Sequence, residues 1–253
     1  MISLFAQFGY LMIGAALLAG ASRMHWRTFL RGDLPAAVDR RPAAIGLVAL
    51  ASAVLFTKIA EDVVRHESTR FDQAASLWVH RFDTPTLDRV MRMFSFIGSF
   101  PVIAVSALLV LTWCWRRRDR AAFAGLIGVI AINETLNFAL KHLFERSRPD
   151  LFQEIATLHT YSFPSGHAMA AVAIWGMIAL VIVRLAPRLR LWVTATAIAL
   201  ILLIGLSRIY LGAHWITDVL AGYAAGAAIL FAGALWLSSY PAGPRRGLQS
   251  RPT

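Results

Sequence analysis

Seven stretches of this chain are apolar for long enough, or nearly so, to cross a bilayer: roughly 3–21, 43–60, 97–115, 121–140, 167–185, 191–206 and 217–237. In hydrocarbon a backbone must satisfy its own hydrogen bonds, so such runs fold as helices that pack on one another. Composition agrees, because 58% of the 253 residues are hydrophobic and only 15% charged, far too apolar for a soluble domain of this size. The expected fold is an all-α, multi-pass transmembrane helix bundle with no internal repeat and no soluble domain between the runs. The single cysteine, Cys114, excludes an intrachain disulfide and any paired-cysteine metal or redox site, and is expected to pack as a small apolar residue.

The net charge of +11 is carried by short clusters between the apolar runs, a pattern that orients a membrane protein and argues against nucleic-acid binding. Arg23, Arg27, Arg31, Arg40 and Arg41 lie between the first two runs, and Arg116, Arg117, Arg118 and Arg120 between the third and fourth. Arg184, Arg188 and Arg190 follow the fifth run; Arg245, Arg246 and Arg251 follow the seventh. These four segments alternate as one side, which makes them cytoplasmic, and segments 61–96, 141–166 and 207–216 then face outward. The first run has no Lys or Arg before Arg23 and is expected to stay as an uncleaved helix, spanning the membrane or lying on it. The expected organisation is thus an N-terminal hydrophobic helix and basic loop over 1–42, a membrane core over 43–240, and a disordered cytoplasmic tail over 241–253. The expected location is the cell membrane, the inner membrane in a bacterium. Oligomeric state is left open.

Within 61–96, Phe71, Ala74, Ala75, Trp78, Val79 and Phe82 recur at helical spacing, as do Leu87, Val90, Met91 and Phe94. Thr84 followed by Pro85 has the form of an N-cap and first helical residue. Two short amphipathic helices in the outer interface are expected here, as a connector or as a gate for lipid.

Three junctions between runs carry chemistry. In Tyr161-Ser162-Phe163-Pro164-Ser165-Gly166-His167, Pro164 biases Phe163 away from helical geometry, Ser165 is a favoured N-cap and good helix formers follow. A helix should start here, and its free N–H groups and dipole suit an anion such as phosphate; read alone, the tetrapeptide also fits a capped helix with an interfacial His. Lys141 and Arg148 end the fourth run seven residues apart, so both point to one side if the helix persists, while Pro149 can turn Arg148 inward. Each cation alone also fits a snorkelling interface residue. At the third junction Arg208 closes the sixth run, Gly212 permits a tight turn, and His214 and Asp218 stand four apart at the start of the seventh. A carboxylate accepting Nδ1–H of His214 leaves Nε2 with its lone pair, the form of a nucleophile; an ordinary His–Asp helix pair is the plainer reading. All three junctions fall on the predicted outer side, and together they offer cations, a helix N-terminus and two histidines, one with a carboxylate and one without.

Lys141 to Pro149 fits K-x6-R-P, Pro164 to His167 fits P-S-G-H, and Ser207 to Asp218 fits S-R-x5-H-x3-D. In this combination the chain resembles the type 2 phosphatidic acid phosphatase superfamily over about residues 71–237, every signature position being filled. The resemblance implies a six-helix membrane core, with the N-terminal hydrophobic helix as an addition. It implies His214 as nucleophile, Asp218 as its partner and His167 as general acid. It further implies Lys141, Arg148, Ser165, Gly166 and Arg208 as phosphate ligands, with no metal and no cofactor. Asn133, Glu134 and Asn137 fit either support of the Lys141 end of the helix or packing contacts. His142 and His159 read as interface residues, and Arg146 as an extension of the basic rim or a surface residue.

The expected function is removal of phosphate from a phosphorylated membrane lipid, monoester or pyrophosphate, at the outer or periplasmic face of the bilayer. The alternatives are a phosphotransferase that passes the group to a lipid hydroxyl, and a non-catalytic lipid transporter. The signature reads only phosphate, so the lipid itself is open.

Overall fold

The computed structural model describes residues 40–150 and 160–240. The expected helix over 3–21, His159 and the tail over 241–253 lie outside the described residues. Among these residues the fold is all helical, and six helices are long and apolar enough to cross a membrane. They correspond to the second to seventh apolar runs. In chain order the helices are α1 (Arg40–Val64), α2 (Thr69–His80), α3 (Pro85–Ile97), α4 (Phe100–Arg117), α5 (Arg120–Phe144), α6 (Gly166–Leu185), α7 (Arg190–Tyr210) and α8 (Ile216–Ser238).

Local chemistry sets the ends. The Thr84 hydroxyl accepts from Leu87 N at 3.3 Å and Pro85 opens α3, as the Thr-Pro pair predicts. Asp119 caps α5 through Ala122 N at 3.0 Å, and its carboxylate also takes Nε of Arg184 from α6 at 2.7 Å. Arg184 reaches on to the carbonyl of Tyr240 at 2.6 Å, so one guanidinium fastens the ends of α5, α6 and α8 on the side opposite the three junctions. Helix α5 stops at Phe144, where Glu145 takes a left-handed φ of 45°. Lys141 and Arg148 therefore do not share a continuous helix, a departure from the two-turn spacing argument. Between α7 and α8 the tight turn uses Gly212 at φ 66°, a conformation that costs glycine little.

Helix α6 is the axis of the bundle, with α4, α5, α7 and α8 against it, α1 along α8 and α3 across α7. Met177, Ile174 and Val181 of α6 meet Leu126 and Val129 of α5, Ile103, Val110 and Cys114 of α4, and Ile229 of α8. Lipid tails are as apolar as leucine, so close packing rather than escape from water holds such helices together. The closest approach is between α6 and α8: a Cβ on Gly222 would lie 2.7 Å from the carbonyl oxygen of Ser165, and one on Gly226 2.5 Å from that of Met169. Midway along α6, Ala171–Trp175 form a π-helical turn that slips one extra residue into the helix. Helix α2 is inverted relative to a soluble surface helix, with Asp72 and Ser76 buried and Phe71, Leu77 and Trp78 exposed.

Candidate active site

The eight residues expected at the site come from three separate junctions, and the fold brings them to one end of the bundle. His214 lies in the turn before α8 rather than on the helix, whose N-cap is Trp215. The i, i+4 helical argument is corrected to this extent: Asp218 meets His214 by folding back over the helix N-terminus. Its Oδ2 accepts Trp215 N at 2.9 Å and lies 3.5 Å from Nδ1 of His214. The Ser162 hydroxyl donates to the same Oδ2 and is 3.5 Å from the same Nδ1. On the other side of the ring, an N–H-bearing nitrogen of Arg148 is 3.4 Å from Nε2. Arginine can only donate, so the Nε2 facing it bears the lone pair, and Nδ1 toward the carboxylate bears the proton.

His214 is 2% exposed and Asp218 fully buried. Burial is the main cause that pushes the imidazole pKa down, to about 4; the hydrogen bond and charge of Asp218 oppose the shift, and Arg208 and Arg148 add to it. His214 is thereby neutral over the range in which most enzymes work.

The cations are held by the protein backbone around this ring. Arg148 donates to the carbonyls of Thr160 at 2.8 Å and Ala213 at 2.7 Å and to the Thr160 hydroxyl at 2.8 Å, and burial lowers its pKa. Lys141 donates to the carbonyl of Tyr161. Arg208, 8% exposed on α7, donates to the Ser95 hydroxyl of α3, while its Nε is buried without a partner among the described residues. Lys141, Arg148, Arg208 and His214 all lie near enough to act electrostatically on His167, in the first turn of α6. Ser165 caps that turn, its hydroxyl accepting from Ala168 N at 3.5 Å, and its own N–H donates to the carbonyl of Asp218 at 3.0 Å. Gly166 faces Asn137, whose Nδ2 would be 3.1 Å from a Cβ at that position. Three cations, a helix N-terminus and a neutral imidazole suit an anion; a bare metal cation would meet the same charges as repulsion.

Sequence reasoning missed part of this site. Arg146, expected on the rim or the surface, instead bridges two buried carboxylates, donating to Asp218 Oδ1 at 2.6 Å and Asp72 Oδ2 at 2.7 Å. Asp72 was legible only as the odd charge in an apolar periodicity, and Ser162 and Ser95 carried no signal at all. The side-chain amide of Asn133 donates to Glu134 at 3.0 Å, and Asn137 packs at Gly166. His142 is exposed and stacks with Phe138 and Tyr161, as an interface residue does.

The sequence profile of the PAP2 superfamily matches residues 122–240. Phosphatidylglycerophosphatase B of Bacillus subtilis is 32% identical over 167 residues, covering 63% of this chain and 80% of that protein. An undecaprenyl-diphosphatase of Sulfolobus acidocaldarius is 30% identical over 152 residues, covering 58% and 68%. The fold resembles the crystal structure of a transmembrane PAP2-type phosphatidylglycerolphosphate phosphatase from Bacillus subtilis, with a TM-score of 0.71 and 27% identity over 76% of this chain and 96% of that one. Signature residues gathered at one end of a six-span bundle, a matching profile and relatives covered over most of their length agree: this chain belongs to the PAP2 superfamily.

Proposed function

We propose that this protein is a lipid phosphatase that hydrolyses a lipid phosphate monoester or pyrophosphate at the outer face of the membrane through a phosphohistidine on His214, without a metal. The observation that carries the reading is the arrangement about His214: Nδ1 toward Asp218 and Nε2 toward Arg148, in a ring whose burial pushes its pKa down. In the first step Nε2 attacks phosphorus and the bond from phosphorus to the lipid oxygen breaks. His167 gives that oxygen its proton, while Lys141, Arg148, Arg208, the Ser165 hydroxyl and the Gly166 N–H hold the phosphoryl oxygens. In the second, His167 takes a proton from water as the water attacks phosphorus, and inorganic phosphate leaves with His214 restored. Asp218 steadies the imidazolium that forms in between.

The relatives named above act on different lipids, a glycerophospholipid phosphate and a polyprenyl diphosphate, so the family does not choose the substrate. The test is phosphate release by the purified protein from phosphatidylglycerol phosphate, phosphatidic acid, undecaprenyl pyrophosphate and lipid A phosphates, compared by kcat/KM. Release from at least one, retained in EDTA and inhibited by orthovanadate, is expected; release that vanishes in EDTA and returns only with magnesium refutes the metal-free mechanism. A lipid hydroxyl taking the phosphoryl group instead of water would appear as a new phosphorylated lipid in place of phosphate.

The outward orientation rests on the basic clusters, and its support in the fold is that Arg116 and Arg117 close α4 at the end of the bundle opposite the site. A cysteine replacing exposed Glu67 should label with a membrane-impermeant maleimide in intact cells, and one replacing exposed Arg117 should not. The opposite pattern would turn the molecule over.

A further inference from the structure

Behind the nucleophile, on the side away from the phosphate ligands, a second set of charges is buried. The Asp72 side chain, on α2, is 1% exposed and that of Arg146, in the loop after α5, is 15% exposed. Asp72 accepts Thr217 N at 3.0 Å and the Thr217 hydroxyl at 2.7 Å, which fixes it to the first turn of α8. One arm of the Arg146 guanidinium donates to Asp72, and the other to Asp218 at 2.6 Å and Thr217 at 2.8 Å. Its Cζ lies over the Trp215 ring, 5.7 Å from the ring centre.

The acceptor capacity of Asp218 is divided accordingly. Oδ2 serves Ser162, Trp215 N and His214; Oδ1 serves Arg146. Without Arg146, Oδ1 would be buried without its ion-pair partner, and the carboxylate would turn or draw in another donor, moving the group that orients His214. Only a forked cation spans both acids, since an ammonium on a single stem is a point charge.

We propose that Arg146 and Asp72 are positioning residues for the nucleophile: a buried arm from α2 that locks the Asp218 carboxylate behind His214 and sets how strongly its charge is felt by the imidazole. The assignment rests on the phosphohistidine reading above. It carries a sign. Arg146 is a cation behind the ring, so its loss favours imidazolium; Asp72 is an anion there, so its loss does not. The other charged and titratable groups about His214 are Asp218 on α8, Arg148 in the loop, Arg208 on α7, Lys141 on α5 and His167 on α6.

The experiment compares Arg146→Gln, Arg146→Lys, Asp72→Asn and the double Asp72→Asn/Arg146→Gln variant, as full-length protein in detergent, with phosphatidic acid in mixed micelles as substrate. Dividing each kcat/KM profile by that of the wild type cancels the ionisation of the phosphate. Arg146→Gln should raise the acid limb by about one pH unit, the low end of the effect of a neighbouring charge, and lower kcat by about 10²-fold, as a small misplacement does. KM should change little, because both side chains are engaged with Asp218, Thr217 and each other. Asp72→Asn should not raise the limb, and in the double variant the two charges offset, returning it toward the wild type. Arg146→Lys should lose kcat without moving the limb. Titration of the His214 ring by ¹⁵N NMR, assigned by its absence in His214→Gln, should show the same displacements without substrate. An unmoved limb and resonance in folded Arg146→Gln, or an equal rise in Asp72→Asn, overturns the arm. If the wild type releases phosphate from no lipid while the NMR shifts appear, the proposed function fails and the arm stands.

Discussion

In the proposed mechanism the two histidines start the reaction in opposite states, His214 neutral to attack and His167 protonated to release the lipid oxygen. The held pKa of about 4 for His214, against an ordinary 6.5, keeps the nucleophile neutral until the pH falls through that value. The acid limb of kcat/KM, corrected for the second ionisation of the phosphate, should therefore lie near 4. Losing His167 should hurt most where the leaving oxygen needs a proton: His167→Ala should lose lipid phosphate turnover by roughly 10²- to 10⁴-fold, the usual range for a general acid. An activated aryl phosphate that leaves as a phenolate should be far less affected. His214→Ala should lose both. Brief exposure of His167→Ala to labelled aryl phosphate and an alkaline quench should leave acid-labile label on the protein, absent in His214→Ala; equal losses on both substrates with no trapped label would mean that these two roles are misassigned. At this scale the eight signature residues were legible, because each stands in a fixed spacing beside Pro, Gly or an apolar run. Arg146, Asp72, Ser162 and Ser95 were not, because what marks them is a partner 71 to 145 residues away for Arg146 and Asp72, 56 for Ser162 and 113 for Ser95.

At the scale of elements the apolar runs predict the spanning helices well, since length and hydropathy suffice to make a span. Their ends and faces are another matter. Helix α5 stops at Phe144 through the backbone of Glu145, and Arg148 reaches His214 from a loop, so the residues converge although the reason drawn from spacing does not hold. Helix α2 buries its acid and shows its aromatics, a polarity that only the neighbouring helices decide. The π turn of α6 is likewise invisible in a run of Ala, Val and Ile. An inserted residue turns the helix beyond it by about 100°, so the turn fixes which way His167 points relative to Met177 and Val181 in the core. Deleting Ala173 should restore an ordinary α-helix and turn His167 from the site or the core face from its neighbours. The expected result is a loss of lipid phosphate turnover at least as large as in His167→Ala, measured in the same assay. Wild-type turnover in the deletion variant would show that the π turn sets no register.

For the whole molecule, the clamp at the far end of α6 has a consequence along the normal of the bilayer. Arg184 is tied to Asp119 at 2.7 Å and to the Tyr240 carbonyl at 2.6 Å, so it is not free to follow the lipid surface as a loose arginine would. Seventeen residues separate it from His167, about 25 Å of helix, against about 30 Å of hydrocarbon in a typical bilayer. If, in the proposed orientation, Arg184 marks the inner boundary of the hydrocarbon, His167 would sit a few ångströms beneath the level at which lipid phosphates ride. A thick membrane lifts the phosphate away from it and a thin one lowers the phosphate onto it. In vesicles of increasing acyl length, kcat/KM for a lipid phosphate should decline stepwise while that for a soluble aryl phosphate stays level; parallel curves would dismiss the idea. On this reading turnover depends on membrane thickness as well as on headgroup chemistry, with Arg184 as the fixed jaw of a calliper.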